Sequence, residues 1–402
     1  MSRNFTDWLE AYCTYAGFSE APRRMHFFAG VSAIAGALRR KVWIEQPHYR
    51  WYANHYIVFV APPGVVSKST TANIAMNLLK QVPGIYFGPD VVTWQALVTN
   101  FASRSEQFAL PLEDGSQDYH AQCALTLTAS ELGNLLNPQD KEMVDLLTNL
   151  WDCNQGAFEK HTKGSGKDVV ENPWLNIIGC TTPAWIAGNF PDYMIGGGFC
   201  SRTLFIYAET KEKLIAYPSR FVPKGMAEVR ERLIQDLEHI AQTFVGQFKI
   251  TPAGEAWGSE WYERHHDPVK GPALLKDDRF GPYMSRRQAH MHKLAMVLSA
   301  ANRDDQTITE EDLATADKML SSVEEDMPKV FEKMGQTDKG LQAGRFISFV
   351  RQAGKVTQSE AYKYIHSHFP DAREFSAILQ GAINSGQLKV LAESGIVYLV
   401  AA

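Results

Sequence analysis

The chain has 402 residues, of which 45% are hydrophobic and 21% charged, with a formal net charge of −5. This is an ordinary globular composition, long enough for two or three units with cores of their own. The charge excludes indiscriminate coating of nucleic acid but not a local basic channel, because binding depends on where charge lies. Five widely spaced cysteines form no C-x-x-C pair, which argues against a zinc site or a disulfide framework. The start of the chain lacks an apolar signal core, and no apolar run approaches the roughly 20 residues needed to span a membrane. A cytoplasmic protein is expected.

In chain order, residues 5–40 read as helical, with Trp8, Leu9, Tyr12 and Tyr15 at helix-like spacing. From 41 to 61 the period shortens, and KVWIEQ and HYIVFVA are expected strands. The strand CALTLTA (123–129) leads to an acid, Glu131. The strand WLNIIGCTT (174–182) stops at Pro183, and RTLFIYAE (202–209) follows a triple glycine. Strands alternating with helical segments predict an α/β sheet with its chemistry at strand ends. Residues 223–247 and 285–335 read as helices, one opening on Thr309 with three acids in its first turn. The last sixty residues read as three helices and a strand pair around an AESG turn, a winged-helix pattern. The expected organisation is a helical segment 1–50, a core 51–210, a helical lid 211–335 and a winged helix 340–402.

Between the second strand and a helix lies APPGVVSKSTTANIAM (61–76). A phosphate-binding loop places backbone N–H groups and a helix N-terminus at an anion, a lysine on the outer phosphates and a hydroxyl on Mg²⁺. Gly64, Ser67, Lys68, Ser69 and Thr70 are the candidates for those parts. Ser67 stands where a glycine normally precedes the lysine, and the lysine arrives one residue late. Glu131 is the candidate for holding the metal's water shell and activating the attacking water, with Ser130 in place of the usual aspartate. Alternatively, Ser130 caps a helix over ELGNLL. Thr181 and Thr182 stand where a γ-phosphate sensor would sit, or simply end a strand before proline. Arg202, after the glycines at 196–198, reads either as an arginine that reaches a neighbouring subunit's nucleotide or as a surface ion-pair partner. In the segment 157–173, two extended arms flank KGSGK. Lys160, His161, Lys163 and Lys167 make it a basic hairpin able to track a phosphate backbone, or an ordinary solvated loop. His265, His266 and Asp267 are adjacent and converge poorly on a metal.

The ordered set resembles the AAA+ replicative helicases of the minichromosome-maintenance type, the superfamily 3 helicases, and more closely the related phage and prophage helicase-like ATPases. SRTLF (201–205) is similar to the SRFDL that carries the arginine finger in that class. RRQAHMHKLAMVLSA followed by ITEEDLATADKML looks like its lid, and the 157–173 hairpin is placed like its DNA-touching pre-sensor-1 hairpin. The resemblance implies an AAA+ P-loop NTPase core with an N-terminal helical segment, an α-helical lid and a C-terminal winged helix. It implies ATP and Mg²⁺ as cofactors, held by Lys68 and Ser69, with Glu131 polarising water. Thr181 or Thr182 would be sensor one, Arg202 a finger in trans and Arg287 sensor two. It further implies a homo-oligomeric ring, a hexamer, on single-stranded DNA, with a primase or initiator as a further partner class and a bacterial host cell as the setting. Residues 1–50 are too short for the amino-terminal DNA collar of the eukaryotic and archaeal enzymes.

The leading expectation is therefore an ATP-dependent DNA helicase or translocase of mobile-element replication. Two rivals stay open: a nucleotide-gated DNA-binding scaffold with little hydrolysis, which the absent aspartate favours, and a AAA+ initiator or helicase loader.

Overall fold

In the computed structural model, which describes residues 3–112, 114–162, 166–267, 271, 278–332, 338–366, 372–393 and 396–401, the chain divides into a unit of residues 1–332 and a unit of residues 333–402. The first unit opens with α1 (Trp8–Ala16), α2 (Arg23–Leu38), β1 (Val42–Glu45), β2 (Arg50–Tyr52), β3 (Tyr56–Val60) and α3 (Lys68–Leu79). There follow α4 (Trp94–Ala102), β4 (Ser105–Pro111), β5 (Gln117–Ala129), α5 (Lys141–Asp152), β6 (Ala157–Thr162), β7 (Gly166–Glu171), β8 (Pro173–Thr181), α6 (Pro183–Asn189) and β9 (Thr203–Tyr207). It closes with α7 (Met226–Thr243), β10 (Gly246–Gln247), β11 (Lys249–Ile250), α8 (Pro252–His266), α9 (Gly281–Asn302), β12 (Thr307–Ile308), α10 (Glu310–Glu324) and α11 (Met327–Phe331).

The main sheet has the order β4-β5-β8-β3-β9. β5, β8, β3 and β9 are parallel, and β4 runs antiparallel to β5 along the outer edge. A parallel bridge from Phe87 to Thr126 extends the same edge. Every residue of β3, β8 and β9 is buried, which is why these segments are apolar runs without alternation. The helix α2 approaches the sheet closely enough that a side chain at Gly36 would meet Leu79 at 2.4 Å and Thr126 at 3.1 Å. On β8, Asn176 donates to Ser32 O (3.0 Å) on α2. On β3, Tyr56 donates its hydroxyl to Leu147 O on α5 (2.8 Å).

The structure corrects several expectations. Residues 5–40 are two helices, broken after Ala16, because α1 folds back on α2: a side chain at Gly30 would meet Leu9 and Tyr12 within 3 Å. KVWIEQ forms a strand as expected, β1, which lies outside the main sheet and pairs with β2 and β10. β5 begins at Gln117, six residues before the apolar run, because its polar first half pairs with β4. The expected N-terminal segment, core and lid are packed as one unit: Trp8 Nε1 on α1 donates to Leu233 O on α7 (2.9 Å).

The second unit contains α12 (Asp338–Ala353), β13 (Lys355–Thr357), α13 (Gln358–Ile365), α14 (Ala372–Asn384), β14 (Leu388–Glu393) and β15 (Ile396–Ala401). Its antiparallel sheet has the order β13-β15-β14. Phe346, Val350, Phe375, Leu379, Leu388 and Leu399 form its core. Thr357 and Glu360 start α13 with a reciprocal capping box. Among the described residues, no helix is long and apolar enough to cross a membrane.

Candidate functional site

The site begins where the chain leaves β3. Gly64 sits at φ +71°, a left-handed turn in which any side chain would be strained. Val65 N–H donates to Pro62 O (3.4 Å), and Lys68 N–H to Val66 O (2.9 Å). The second bond encloses Ser67 at φ −80° and ψ 65°, an inverse γ-turn open to any L-residue. The position that lacks the usual glycine therefore needs none. The longer loop closes with a different turn.

The helix α3 starts immediately, at Lys68. Ser67 makes no side-chain cap, and the first turn contains no acid. The N–H groups of Ser69 and Thr70 have no hydrogen-bond partner among the described residues. A bare helix N-terminus of this kind attracts anions. Thr71, which the sequence does not single out, donates Oγ1 to Ser67 O (2.9 Å) and ties the turn to the helix.

Lys68 Nζ reaches back across the loop to Ala61 O (3.0 Å). Burial lowers the Lys68 pKa below the usual lysine range, while the neighbouring Cys180 and Glu131 act against this. Lys68 from the loop thus lies within electrostatic reach of Glu131, just after β5, and of Cys180 on β8, as the strand order β5-β8-β3 requires. Burial pushes the Cys180 thiol up to about 12, so it stays a neutral group. No motif marks Cys180; it enters because β8 lies between β3 and β5.

Ser130 is exposed and caps no helix. Only a 3₁₀ turn, Leu132–Asn134, follows Glu131, and no side chain caps it. The two threonines separate. Thr182 Oγ1 accepts from Trp185 N (3.1 Å) and caps α6, whereas Thr181 Oγ1 is buried without a partner among the described residues. For Mg²⁺, the Ser69 hydroxyl and the Glu131 carboxylate are oxygen donors of the right hardness. Among the described residues no three His, Cys, Asp or Glu side chains cluster, so the ion would take its other ligands from phosphate and water.

The two expected arginines are held inside their own chain. Arg202 is buried and grips Asp152 at the end of α5 with Nη2 (2.6 Å) and Nε (3.2 Å), and Gly198 O with Nη1 (3.1 Å). A finger in trans needs an exposed guanidinium, which this arrangement does not present. Arg287 is buried against Asp317 (2.5 Å) and Glu324 (2.7 Å), with its guanidinium 5.5 Å from the Trp261 ring. It joins α8, α9 and α10 and is not available as a second sensor. Its neighbour Arg286 instead lies within electrostatic reach of Arg202 and Asp152.

The arms of the basic hairpin pair antiparallel as β6 and β7, with His161 opposite Lys167. Lys160 is not free for nucleic acid. Its Nζ donates to Gln95 O (3.3 Å), lies 3.7 Å from Asp168 and sits 5.1 Å from the Trp94 ring, fastening the hairpin to α4. Lys163 lies outside the described residues, and of His161 and Lys167 only the backbone is described.

Compared with known proteins, the chain matches no protein-family model and no curated protein.

Proposed function

We propose that the chain is a cytoplasmic ATP-hydrolysing motor of the AAA+ class that moves on single-stranded DNA as a ring of identical subunits, in mobile-element replication. One observation carries the reading: the loop strand β3 is separated from the acid-bearing strand β5 by β8, and Lys68 lies within electrostatic reach of Cys180 on β8 and of Glu131. In that arrangement the free N–H groups of α3 and Lys68 hold the phosphates. Ser69 and Glu131 would hold Mg²⁺, which would supply charge neutralisation at the transferred phosphoryl group. Glu131 orients the attacking water, and Thr181, the one threonine not used as a cap, is the sensor of choice. The helix and strand sequence of the second unit, with β14 and β15 as a wing, is consistent with a winged helix.

The measurement is ATP turnover with and without single-stranded DNA, for the wild type, Lys68→Ala and Glu131→Gln. The reading requires DNA-stimulated turnover that both changes abolish, with nucleotide binding lost only in Lys68→Ala. A second reading, a nucleotide-gated DNA scaffold, is favoured by Ser130 in place of the aspartate and by the engagement of Arg202 with Asp152. It requires nucleotide binding without turnover.

A further inference from the structure

The sheet end opposite the phosphate loop carries a cavity of about 390 Å³. It is met by β5 at His120 and by the chain just before β8, roughly 25–35 Å from the loop at about 3.3 Å per strand residue. Arg40 is 4% exposed and stacks 4.2 Å from the Tyr52 ring. Its guanidinium donates to Cys153 O (2.8 Å), Pro173 O (3.0 Å) and Asn154 O (3.2 Å). Among the described residues it pairs with no carboxylate, so the wall holds a buried positive charge without a counter-ion, which is costly until an anion arrives. At the rim, Arg50 stacks 4.5 Å from the Trp43 ring and pairs with Glu45 (2.7 Å). Across the β4–β5 pair, Phe108 and His120 are partners in register and stack with centroids 5.7 Å apart, both partly exposed.

Cationic guanidinium planes beside accessible rings suit a ligand with a phosphate and an aromatic base, and the volume lies in the range of small-ligand cavities. A second cavity of about 360 Å³, lined also by the carboxylates of Glu45 and Asp152, shares Arg50 and Gln155 with the first. The first cavity also sits at the foot of the β6–β7 hairpin. There Gly156 N–H donates to Asn172 Oδ1 (3.1 Å), and Asn172 Nδ2 to Ala121 O (2.9 Å).

We propose that this cavity holds one nucleotide unit of a single strand, its phosphate toward Arg40 and Arg50 and its base on Phe108 and His120. The inference rests on the single-stranded DNA reading given above. The test uses the full chain and a fluorescent oligothymidylate at fixed salt. Phe108→Ala and Arg50→Gln should each weaken binding roughly ten-fold, while a fluorescent ATP analogue binds as in the wild type. An oligonucleotide carrying 5-iodouracil should crosslink within residues 105–122. Wild-type oligonucleotide affinity in both variants, or crosslinks confined to other segments, overturns the cavity and leaves the DNA reading standing. Binding of free thymidine monophosphate without oligonucleotide binding overturns the strand assignment. Absence of any oligonucleotide binding by the wild type removes both. Loss of DNA affinity in the cavity variants, together with unchanged ATP binding in Lys68→Ala, keeps the cavity and removes the motor.

Discussion

Lys293 offers a quantitative test of how charge is stored in this chain. It lies on α9, 2% exposed. Its Nζ donates to Asn54 Oδ1 (2.8 Å) and Trp151 O (3.2 Å), 3.5 Å from the Trp151 ring. Burial brings its pKa from 10.5 to about 8. Between those values the unfolded chain holds the proton and the folded chain releases it, so stability rises with pH across that window. Below pH 8 both states are protonated and the cost of the buried charge is complete; above 10.5 it has gone. At 1.36 kcal/mol per unit the cost is about 3 kcal/mol, most of which disappears between pH 7 and pH 10. Lys293→Met keeps the length of the side chain and removes the charge, but leaves Asn54 Oδ1 without its donor, at about 1–3 kcal/mol. The net change at pH 7 is therefore small, and the informative quantity is its pH dependence. Urea unfolding of both proteins at pH 7 and pH 10 should show the methionine variant favoured by about 2–3 kcal/mol more at pH 7. Lys41, also lowered to about 8 by burial, is common to both proteins and cancels. A difference between the two pH values below about 0.5 kcal/mol, the size of ordinary non-additivity, would refute the argument.

Ser67→Gly should give no gain in affinity for an ATP analogue, because the observed backbone does not need glycine. It should cost about 0.4–1 kcal/mol through the unfolded chain, and a marked rise in affinity would show that the loop changes shape when it binds. Arg287→Leu strands Asp317 and Glu324 and should cost about 3–5 kcal/mol in urea unfolding. Loss of turnover with stability unchanged would instead restore Arg287 as a sensor.

The strands β3, β8 and β9 are legible in the sequence because burial on both faces leaves them largely apolar. The same signal in KVWIEQ identifies a strand but not its sheet, since periodicity carries no information about the partner. The first half of β5 escapes notice because Gln117, Asp118 and Tyr119 are exposed and become strand only by pairing with β4. At the site, Lys68 and Ser69 are legible because the loop is one contiguous string. Cys180 is not, because it joins them only through the strand order. The arginines show a similar limit. Composition displays their charge, but the carboxylates that hold them stand 50 positions away for Arg202 and 30 and 37 for Arg287.

These pairings give the segment between α5 and the hairpin a particular place in the proposed cycle. Arg40 holds Cys153 O and Asn154 O, Lys293 and Asn54 hold Trp151 O, and Arg202 holds Asp152. The foot of the hairpin is thus bonded to the residue entering β3, to α9 and to the expected finger. Arg202, Arg286 and Lys293 all feel the single carboxylate of Asp152. If Arg202 left Asp152 for a phosphate on a neighbouring subunit, that carboxylate would be freed to face Arg286 and Lys293, and the charge balance at the foot of the hairpin would change. Under the proposed function, the Arg202–Asp152 ion pair would therefore be the contact through which nucleotide state reaches the foot of the hairpin.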